Sequence, residues 1–503
     1  MSKKKSKAKK KKPIYKTGSF YFVLIYALLT IGMIIQLFTV NIIPMKYVII
    51  ATIVLVLLLL AMYYLQMGKH INKVNKILGK ILIIILSILL GIGNFMLFKA
   101  GSVFSRITGD NMETTVISVV VMKENEAEKI QDLKNSEFGK TKTGDQEILE
   151  KCIKDIEADV DQAISTVDYS SYKEIGNDLY SGTIDAIILD ESTRGLFEDN
   201  HPNFDSETKV IKSYKYKTES KDISKSVNVT EDAFNVYITG IDTYGSITTA
   251  SRSDVNMIAT INPKTHQILL TSIPRDYYVP QPCQDNQKDK LTHTGIYGVD
   301  CTIETVENYF DIDLNYYVRV NFSSLVDIVN ALDGITVDNP VAFTSIDGTY
   351  FPEGSIEMDG NMALSYSRER KNLSGGDRDR GKNQMRVITG IINKAISPKI
   401  ITNYTSIMDA VSDSFQTNMS NKEMTSLIKM QLDEMSGWDI EQISVNGTGN
   451  ASAWSPANGF NSWVMEPNVE TVQKAVDLIQ RVQNGEDVKD LAQQVMEENT
   501  ANE

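Results

Sequence analysis

Residues 234–242 read FNVYITGID, and residues 251–279 read SRSDVNMIATINPKTHQILLTSIPRDYYV. Three short apolar runs occur here, FNVYITGI, MIATINP and QILLTSIP, and each is bounded by polar residues or proline. Such runs are typical of buried β-strands. Downstream, YYVRVNF predicts another strand, and FSSLVDIVNALDG predicts a helix that ends at a glycine cap. Because these strands alternate with helices, we predict an α/β domain over residues 231–483.

A smaller α/β domain is predicted before it, at residues 101–230. TTVISVVVMK and GTIDAIILD are typical of buried strands, whereas EKIQDLKNSEFGK and residues 146–166 have a helical pattern. This domain contains no cluster of catalytic residue types, and we interpret it as a scaffold in preference to a ligand site. At the other end of the chain, residues 484–503 form an acidic tail that we expect to be disordered.

Three apolar runs precede both domains: Phe20 to Val40, Tyr47 to Leu65, and Ile81 to Phe98. Each approaches the roughly 20 residues that cross the hydrocarbon core of a bilayer as a helix. We therefore predict a multi-pass membrane protein with a basic tail at residues 1–18 and three transmembrane helices within residues 19–100. The first run is not followed by a small-residue cleavage pattern, so we do not expect it to be a removed signal peptide.

Lysine placement predicts the orientation in the membrane. Nine lysines precede the first apolar run and four lie between the second and third, but the connector between the first two contains only Lys46. Basic connectors stay in the cytoplasm. The N-terminus should therefore be cytoplasmic, and everything after Lys99 should be outside the cell.

The charge distribution argues against nucleic-acid binding. The net charge is −13, yet all 64 acidic residues lie beyond residue 100, where the net charge is about −28. The three cysteines are too few for a disulfide framework and lack the spacing of a zinc site. Cys283 and Cys301 could pair outside the cell, or both could be free thiols.

Charged residues in the larger domain follow the predicted strands or come late in the chain. They occur in five short motifs: GID (Asp242), SRSD (Arg252, Asp254), SIPRD (Arg275, Asp276), YSRER (Arg368, Arg370) and GGDRDRGKNQ (Asp377, Arg380, Gln384). Ligand crevices form at strand ends in open α/β sheets. Arginine suits phosphate oxygens, and a pair of Asp residues is a usual way to hold magnesium. Each motif alone could be a surface ion pair or a helix cap, but their combination indicates a pyrophosphate site.

The order of these motifs closely resembles the catalytic domain of the LytR–CpsA–Psr family. The resemblance spans residues 234–388 and includes KLTHTGIYG, NYFDIDLNYYVRVNFSSLVDIVNALDGITVDNP, MDGNMALSYSRER and GDRDRGKNQ. It implies an α/β/α catalytic domain with a central mixed sheet. The three spans and the preceding accessory domain resemble the CpsA-type members. The implied activity is transfer of a glycopolymer (capsular polysaccharide, exopolysaccharide or teichoic acid) from a polyprenyl-pyrophosphate carrier to the peptidoglycan of a Gram-positive bacterium.

The resemblance also assigns roles to residues. It makes Asp242 and Asp254 the ligands of Mg²⁺ (or Mn²⁺). The pyrophosphate would be bound by six side chains: Arg252, Arg275, Arg368, Arg370, Arg380 and Gln384. Arg275 would also act in catalysis, with either Asp377 or Asp276 as the base that activates a sugar hydroxyl. Two positions depart from the family's pattern, since Thr292 replaces its usual Asn and Asn383 a basic residue.

Two other functions are compatible with the same residues. One is a pyrophosphohydrolase that uses water as the acceptor. The other is a non-catalytic sensor that binds carrier lipid and regulates a capsule export or kinase complex through the membrane helices. We expect the enzyme, because a sensor would need fewer of the charged residues.

Overall fold

The computed structural model describes residues 18–40, 43–68, 70–107, 112–197, 200–219, 223–241, 251–397 and 415–501. The chain separates into two compact units. The first contains residues 1–105 and 424–435, and the second contains residues 106–423 and 436–503. The predicted metal ligand Asp242 lies outside the described residues.

The first unit begins with three helices: α1 (Gly18–Val40), α2 (Met45–Met67) and α3 (Lys73–Ile107). All three are long and apolar enough to cross a membrane, which confirms the three predicted apolar helices. Most of their large apolar side chains are exposed, as lipid-facing residues would be, and a small cluster around Tyr26 and Met62 packs between them. The Nδ2 of Asn94 donates to the carbonyl of Leu29, which joins α3 to α1.

The accessory domain is built on a five-stranded sheet. In chain order its elements are β1 (Met112–Met122), β2 (Glu137–Thr141), α4 (Gln146–Val160), β3 (Ser165–Tyr169), α5 (Tyr172–Ser181), β4 (Ala186–Asp190), α6 (Phe204–Glu207) and β5 (Thr208–Glu219). The strand order is β3-β2-β4-β1-β5. Strand β2 is parallel to β3 and β4, whereas β1 is antiparallel to β4 and β5. Helix α4 packs on one face of the sheet and α5 on the other.

One predicted helix in this domain is wrong. The segment EKIQDLKNSEFGK forms a single 3-10 turn, Ile130–Leu133, and then strand β2. Its charged residues suggested a solvated helix, but Phe138 is completely buried where β2 inserts between β3 and β4. Pairing with two neighbouring strands, which the local sequence does not reveal, determines the conformation.

The larger domain contains most of the remaining elements. Its strands are β6 (Phe234–Ile241), β7 (Ser253–Asn262), β8 (Gln267–Ser272), β9 (Tyr278–Gln281), β10 (Gln287–Lys290), β11 (Tyr316–Val320), β12 (Ile335–Asn339), β13 (Phe343–Thr344), β14 (Tyr350–Phe351), β15 (Gly354–Met358), β16 (Phe415–Thr417), β17 (Asp439–Ser444), β18 (Gly447–Ser455) and β19 (Phe460–Pro467). Its helices are α7 (Val299–Phe310), α8 (Phe322–Ala331), α9 (Gly360–Arg368), α10 (Asp377–Ala395), α12 (Val469–Gln483) and α13 (Lys489–Ala501). Most of helix α11 (Asn421–Glu434) belongs to the first unit.

Six of these strands form the central sheet, in the order β16-β11-β6-β7-β8-β17. The pairs β11–β6 and β8–β17 are parallel and the other neighbours are antiparallel, so the sheet is mixed, as predicted. Helices α7, α12 and α13 cover one face, where Tyr237 and Leu269 pack against Ile479. The other face of β6 and β7 meets α8, α9 and α10 around a cavity. The fold is therefore an α/β/α sandwich.

The predicted disorder of the acidic tail is wrong for its central part. Residues 489–501 form helix α13, in which Ala492 is completely buried and Asn499 donates to the carbonyl of Ser444 at 2.6 Å. Apolar residues at helical spacing, Val488, Ala492 and Val495, pack into the core that α12 also covers. The abundance of acidic residues concealed this short stripe.

Candidate functional site

The site begins at a β-bulge that holds Asp254. In the antiparallel pair β6–β7, Gly240 pairs with Val255 and Ile241 pairs with Ser253, so Asp254 is the extra residue between two paired positions. A bulge bends the strand locally and re-aims the side chain of the extra residue. Here the bulge directs a carboxylate toward the cavity beside the sheet, because Asp254 lines that cavity.

Two groups hold the Asp254 carboxylate from opposite sides. The Oγ1 of Thr292 donates to Oδ1 at 2.8 Å, and the guanidinium of Arg275 lies 3.0 Å from Oδ2. Burial alone would raise the pKa of Asp254, but the positive charges of Arg275, Arg252 and Arg380 outweigh it and hold the pKa below its usual value. Asp254 is therefore an ionised carboxylate within a cluster of arginines.

Arg275 is the centre of a wider ionic network. Besides Asp254, its Nε lies 3.7 Å from an oxygen of Asp276 and 3.9 Å from an oxygen of Asp377. Although burial alone would lower the pKa of Arg275, these carboxylates raise it. The Nε atom is buried and makes no hydrogen bond within the described part of the chain, so one donor of this arginine remains available for a ligand oxygen.

Helix α10 adds a second cation to the network. The helix begins at Asp377, after Gly376 adopts a φ of +56° that favours glycine. Residues three or four positions apart share a helix face, so Asp377, Arg380 and Gln384 project in similar directions. Arg380 contacts Asp377 at 2.6 Å. Burial, together with the positive charge of nearby Arg275, lowers the pKa of Arg380.

The remaining predicted anion ligands are at the edge of the same cavity. Arg368 and Arg370 are exposed at and just after the end of α9, and the guanidinium of Arg368 stacks 4.0 Å from the centre of the Phe322 ring. Gln384 donates to the carbonyl of Ser367 at 3.3 Å, which links α10 to α9.

These residues surround a cavity of 230 Å³. Its lining includes every predicted pyrophosphate ligand and one predicted metal ligand: Arg252, Arg275, Arg368, Arg370, Arg380, Gln384 and Asp254. The rest of the lining is mostly apolar, with Ile238, Leu325, Leu364 and Val387 as examples. One cavity thus combines a cationic region with an apolar region.

The two candidate bases occupy different positions. Asp377 lines a small pocket of 30 Å³ that shares Asp254, Arg275, Arg380 and Gln384 with the larger cavity. Asp276 lines neither space, and its other oxygen lies 3.6 Å from the Nζ of Lys290. The structure therefore brings Asp377 together with the other predicted residues. Asp276 lies next to Arg275 but outside both spaces.

The donor set can be compared with the needs of a magnesium ion. Within the described ranges, no group of three or more His, Cys, Asp or Glu residues could hold a metal. In phosphate-handling sites, however, magnesium takes one or two carboxylates, and water and phosphate oxygens supply the remaining ligands. The ionised Asp254 fits one such ligand, and Asp242, the other predicted ligand, follows the end of β6 in the sequence.

Sequence reasoning missed the role of Thr292. In the sequence Thr292 is only a departure from the family's pattern, but in the structure its hydroxyl donates a hydrogen bond to Asp254. Gly295, in the same helical turn as Thr292, packs closely on the segment before β7, and an added Cβ would collide with the carbonyl oxygen of Ser251. Asn383, the other departure, is buried and points away from the cavity, since its Nδ2 donates to the Tyr366 carbonyl and its Oδ1 accepts from Arg386. A basic side chain at position 383 would therefore have to point in a different direction to reach a ligand in the cavity.

The chain was compared with protein-family models. The model described as the LytR_cpsA_psr family matches residues 203–477, which is more than half of the chain. A second model, described as DNA polymerase processivity factor, matches residues 72–189, less than half of the chain and partly within α3.

The chain was also compared with curated relatives and with solved structures. A protein of Enterococcus faecalis (strain ATCC 700802 / V583), named polyisoprenyl-teichoic acid–peptidoglycan teichoic acid transferase TagU, is 39% identical over 46% of this chain and 77% of its own length. The protein of the same name from Bacillus subtilis (strain 168) is 37% identical over 41% of this chain and 67% of its own length. Among solved structures, B. subtilis TagV is 27% identical with a TM-score of 0.43, covering 50% of this chain and 98% of TagV. TagT bound to LI-WTA is 29% identical with a TM-score of 0.41, covering 52% of this chain and 95% of TagT.

Proposed function

The chain belongs to the LytR_cpsA_psr family and is an enzyme that transfers a glycopolymer to peptidoglycan, and we propose that it takes this polymer from a polyprenyl-pyrophosphate carrier with the help of Mg²⁺. The polymer we propose is a teichoic acid or a capsular polysaccharide. The names of the curated relatives support the teichoic acid. The capsule is supported by the resemblance of the three apolar helices and accessory domain to CpsA-type members.

One observation carries this proposal: the 230 Å³ cavity combines apolar side chains with five arginines. A polyprenyl pyrophosphate is an amphiphile with an apolar tail and a strongly anionic head. Arginine forks bind phosphate oxygens in pairs, and buried apolar side chains favour the tail. A water-soluble nucleotide has no apolar tail that could occupy the apolar region. The cavity is therefore better suited to a lipid-linked substrate.

We propose the following reaction. A hydroxyl of a peptidoglycan sugar attacks the phosphorus that carries the glycan. A new P–O bond forms to the acceptor oxygen, the bond to the bridging oxygen breaks, and polyprenyl phosphate leaves with the electron pair. Arg275 and Arg380 are in contact with the carboxylates of the network and would stabilise the charge on the pyrophosphate. Asp377, rather than Asp276, would take the hydroxyl proton, because it borders the space that Arg275 and Arg380 enclose.

Asp254 and Asp242 are the proposed ligands of the magnesium ion. When bound, the ion would neutralise charge on the pyrophosphate oxygens. Apart from the metal, the residues around Asp254 have a clear positioning role. Thr292 and Arg275 fix the carboxylate from both sides, so that its orientation does not change when a substrate enters.

The decisive experiment compares Asp254→Asn and Arg275→Ala with the wild-type protein. Full-length protein in phospholipid nanodiscs would be given a lipid-linked glycopolymer and purified peptidoglycan, and covalently attached polymer would be measured. Both changes should reduce transfer at least 100-fold, because each removes charge stabilisation of the kind that contributes about 3 kcal/mol or more to a barrier. Asp254→Asn should also weaken the magnesium dependence, whereas Arg275→Ala should largely preserve it.

Matched controls separate lost chemistry from lost folding. Asp168→Asn and Arg481→Ala change the same residue types at partly exposed ion pairs outside the site, and both should retain wild-type transfer. Melting temperatures must be compared for all variants. Well-folded Asp254→Asn protein that transfers polymer at the wild-type rate would rule out the metal assignment.

The same assay distinguishes the two rival functions. A pyrophosphohydrolase would release glycan phosphate equally well without peptidoglycan. A sensor would bind the carrier lipid but show no turnover with any lipid-linked glycan. The transferase predicts that peptidoglycan is required for release of polyprenyl phosphate.

A further inference from the structure

A cavity of 500 Å³ lies between the accessory sheet and the larger domain. Strands β2 and β4 contribute Thr141 and Asp190, and the facing wall contains Gln284, Tyr297 and the disulfide-bonded Cys283. Ligand sites are typically of this size and combine apolar walls with a few polar groups. We call this space the interdomain cleft.

The topology of the accessory sheet places the interdomain cleft where α/β sheets bind ligands. From β2 the chain passes through α4 to β3, which lies at one edge of the sheet. From β4 it passes to β5, which lies at the opposite edge. Adjacent parallel strands whose connections leave in opposite directions define a switch point, and a crevice opens at their carboxyl ends. Thr141 and Asp190 are the last residues of β2 and β4, and both line the cleft.

The chemistry of the lining indicates an uncharged ligand rich in hydroxyl groups. Seven side chains with hydroxyl groups border the cleft: Thr115, Thr141, Thr143, Thr193, Thr218, Tyr172 and Tyr297. The lining that the structure describes includes the carboxylates of Asp145 and Asp190 but no Lys, Arg or His. A phosphate or carboxylate ligand would find no cation there, in contrast to the arginine-rich catalytic cavity. Carboxylates, hydroxyls and aromatic rings together are suited to the hydroxyl groups and apolar faces of a sugar.

Asp190 is a partly buried carboxyl group of the cleft, at the end of β4. Its Oδ1 accepts from the backbone N–H of Ser192 at 2.9 Å, and part of the side chain remains open to the cleft. Burial raises the pKa of Asp190 to about 6. A carboxyl that is partly enclosed in this way can accept further hydrogen bonds, and sugar hydroxyls would supply them.

Two short segments connect the interdomain cleft to the catalytic residues. The helical turn Glu191–Phe197 contributes Thr193 to the cleft, and the carbonyl of its Gly195 accepts a hydrogen bond from Arg252 at 3.1 Å. A side chain at position 195 would collide with Arg252, since an added Cβ would lie 2.5 Å from its guanidinium carbon.

The helical turn Leu291–Tyr297 makes the corresponding connection from the larger domain. It contributes Tyr297 to the cleft and Thr292 to Asp254. A ligand in the interdomain cleft would thus lie against both turns that hold catalytic side chains.

We propose that the interdomain cleft binds an uncharged oligosaccharide segment next to the catalytic cavity. The segment comes either from the acceptor glycan strand or from the polymer that is being transferred. Binding itself does not depend on transfer; only the source of the sugar rests on the proposed function. The accessory domain is then a glycan-binding domain and not merely a scaffold.

The test measures binding without turnover. Full-length protein in phospholipid nanodiscs, free of sugar-headed detergents, would be titrated with two probes by saturation-transfer NMR. One probe is chitotetraose, an uncharged N-acetylglucosamine oligomer. The other is a neutral oligosaccharide released by dephosphorylation of the host's own wall polymer. Asp190→Ala and Tyr297→Ala should each weaken binding about tenfold or more, as expected for losing a hydrogen bond to a charged group or an aromatic contact.

Asp168→Ala and Tyr350→Ala are the matched controls. Asp168 lies in the same sheet outside the cleft, and Tyr350 is 61% exposed in the larger domain. Neither should change binding. Binding of chitotetraose alone would support the acceptor strand as the source, and binding of the wall oligosaccharide alone would support the polymer. If neither probe binds the wild-type protein, or if Asp190→Ala binds as tightly as the wild type, the proposal is overturned, whether or not transfer is observed.

Discussion

At the scale of single residues, the hydroxyl of Thr292 illustrates how a neutral group can support a charged site. It satisfies one oxygen of Asp254 while Arg275 satisfies the other. Thr292→Val keeps the shape but removes the donor, so we expect a loss of about 1–2 kcal/mol in stability, with a clear loss of transfer. Thermal melting and the transfer assay would measure both effects. Thr292→Ser keeps the hydroxyl and should stay close to wild type, and equal loss in both variants would contradict this role.

Asp190 makes stability depend on pH. Its pKa of about 6 in the folded protein lies above the ordinary value near 4, so the folded state retains a proton that the unfolded state releases. This contribution to stability is complete below about pH 4 and is lost as the pH rises through 6. An asparagine at this position cannot ionise. The free energy of unfolding of Asp190→Asn, relative to that of the wild type, should therefore increase by up to about 3 kcal/mol as the pH rises from about 4 to about 7.

Melting temperatures of the two proteins across this range would test the effect. Asp168→Asn is the control, because Lys140 lowers the pKa of the exposed Asp168, so its removal should bring no gain over the same range. A wild-type protein that melts in parallel with Asp190→Asn at every pH would contradict the prediction.

The sequence alone could identify which charged residues would meet. Arginines and carboxylates at strand ends are recognisable in the chain, and the cavity lining contains seven of the predicted residues. The β-bulge at Asp254 and the contact from Thr292 could not be predicted, because both depend on how two distant segments approach each other. The same reason hides the interdomain cleft, whose walls come from two domains.

At the scale of secondary-structure elements, the Cys283–Cys301 disulfide ties helix α7 to the short turn Pro282–Gln284. A crosslink that closes a loop of this length typically stabilises a protein by about 3 kcal/mol. The structure thus confirms the pairing that the sequence left open, while Cys152 is buried and unpaired with another cysteine.

Alkylation followed by mass spectrometry should show the disulfide directly. The folded, unreduced protein should take up no label, because burial raises the pKa of the Cys152 thiol to about 12 and keeps it unreactive. Denatured, unreduced protein should take up one label, and denatured, reduced protein should take up three. Three labels before reduction would show that the bridge is absent.

Element prediction succeeded where local pattern and tertiary pairing agree. Strands β6, β7, β8 and β11 occur where the apolar runs indicated them. Strand β2 and helix α13 were missed, because single buried residues such as Phe138 and Ala492 lie among charged neighbours. A few apolar residues in a polar segment carry too little signal until their partners in the fold are known.

At the scale of the whole molecule, charge is divided between two parts of the chain. The first 100 residues contain 15 lysines and no acidic residue, whereas the remaining residues are strongly acidic. In the predicted orientation the acidic part would lie outside the cell. Its charge is compatible with a neutral sugar ligand, and the proposed anionic pyrophosphate would be attracted by the local arginine cluster. The basic part would lie at the cytoplasmic face, where anionic lipids attract lysines.

The orientation that this division predicts can be tested with two reporter cysteines. The native cysteines should not interfere, because two are bridged and Cys152 is buried. Ile43→Cys lies in the connector between α1 and α2, and Ile71→Cys lies in the lysine-rich connector between α2 and α3. In intact wall-stripped cells a membrane-impermeant thiol reagent should label Ile43→Cys only, and both after permeabilisation.

Protease offers an independent check of the same orientation. Added to intact wall-stripped cells, it should remove the region from Met112 onward, which contains both α/β domains, and leave the helices protected. The proposed substrate is a lipid-linked glycan and the acceptor is peptidoglycan, which a catalytic domain on the cytoplasmic side could not reach. Labelling of Ile71→Cys in intact cells, together with protection of the domains from protease, would reverse the topology and remove the basis for transfer to the wall.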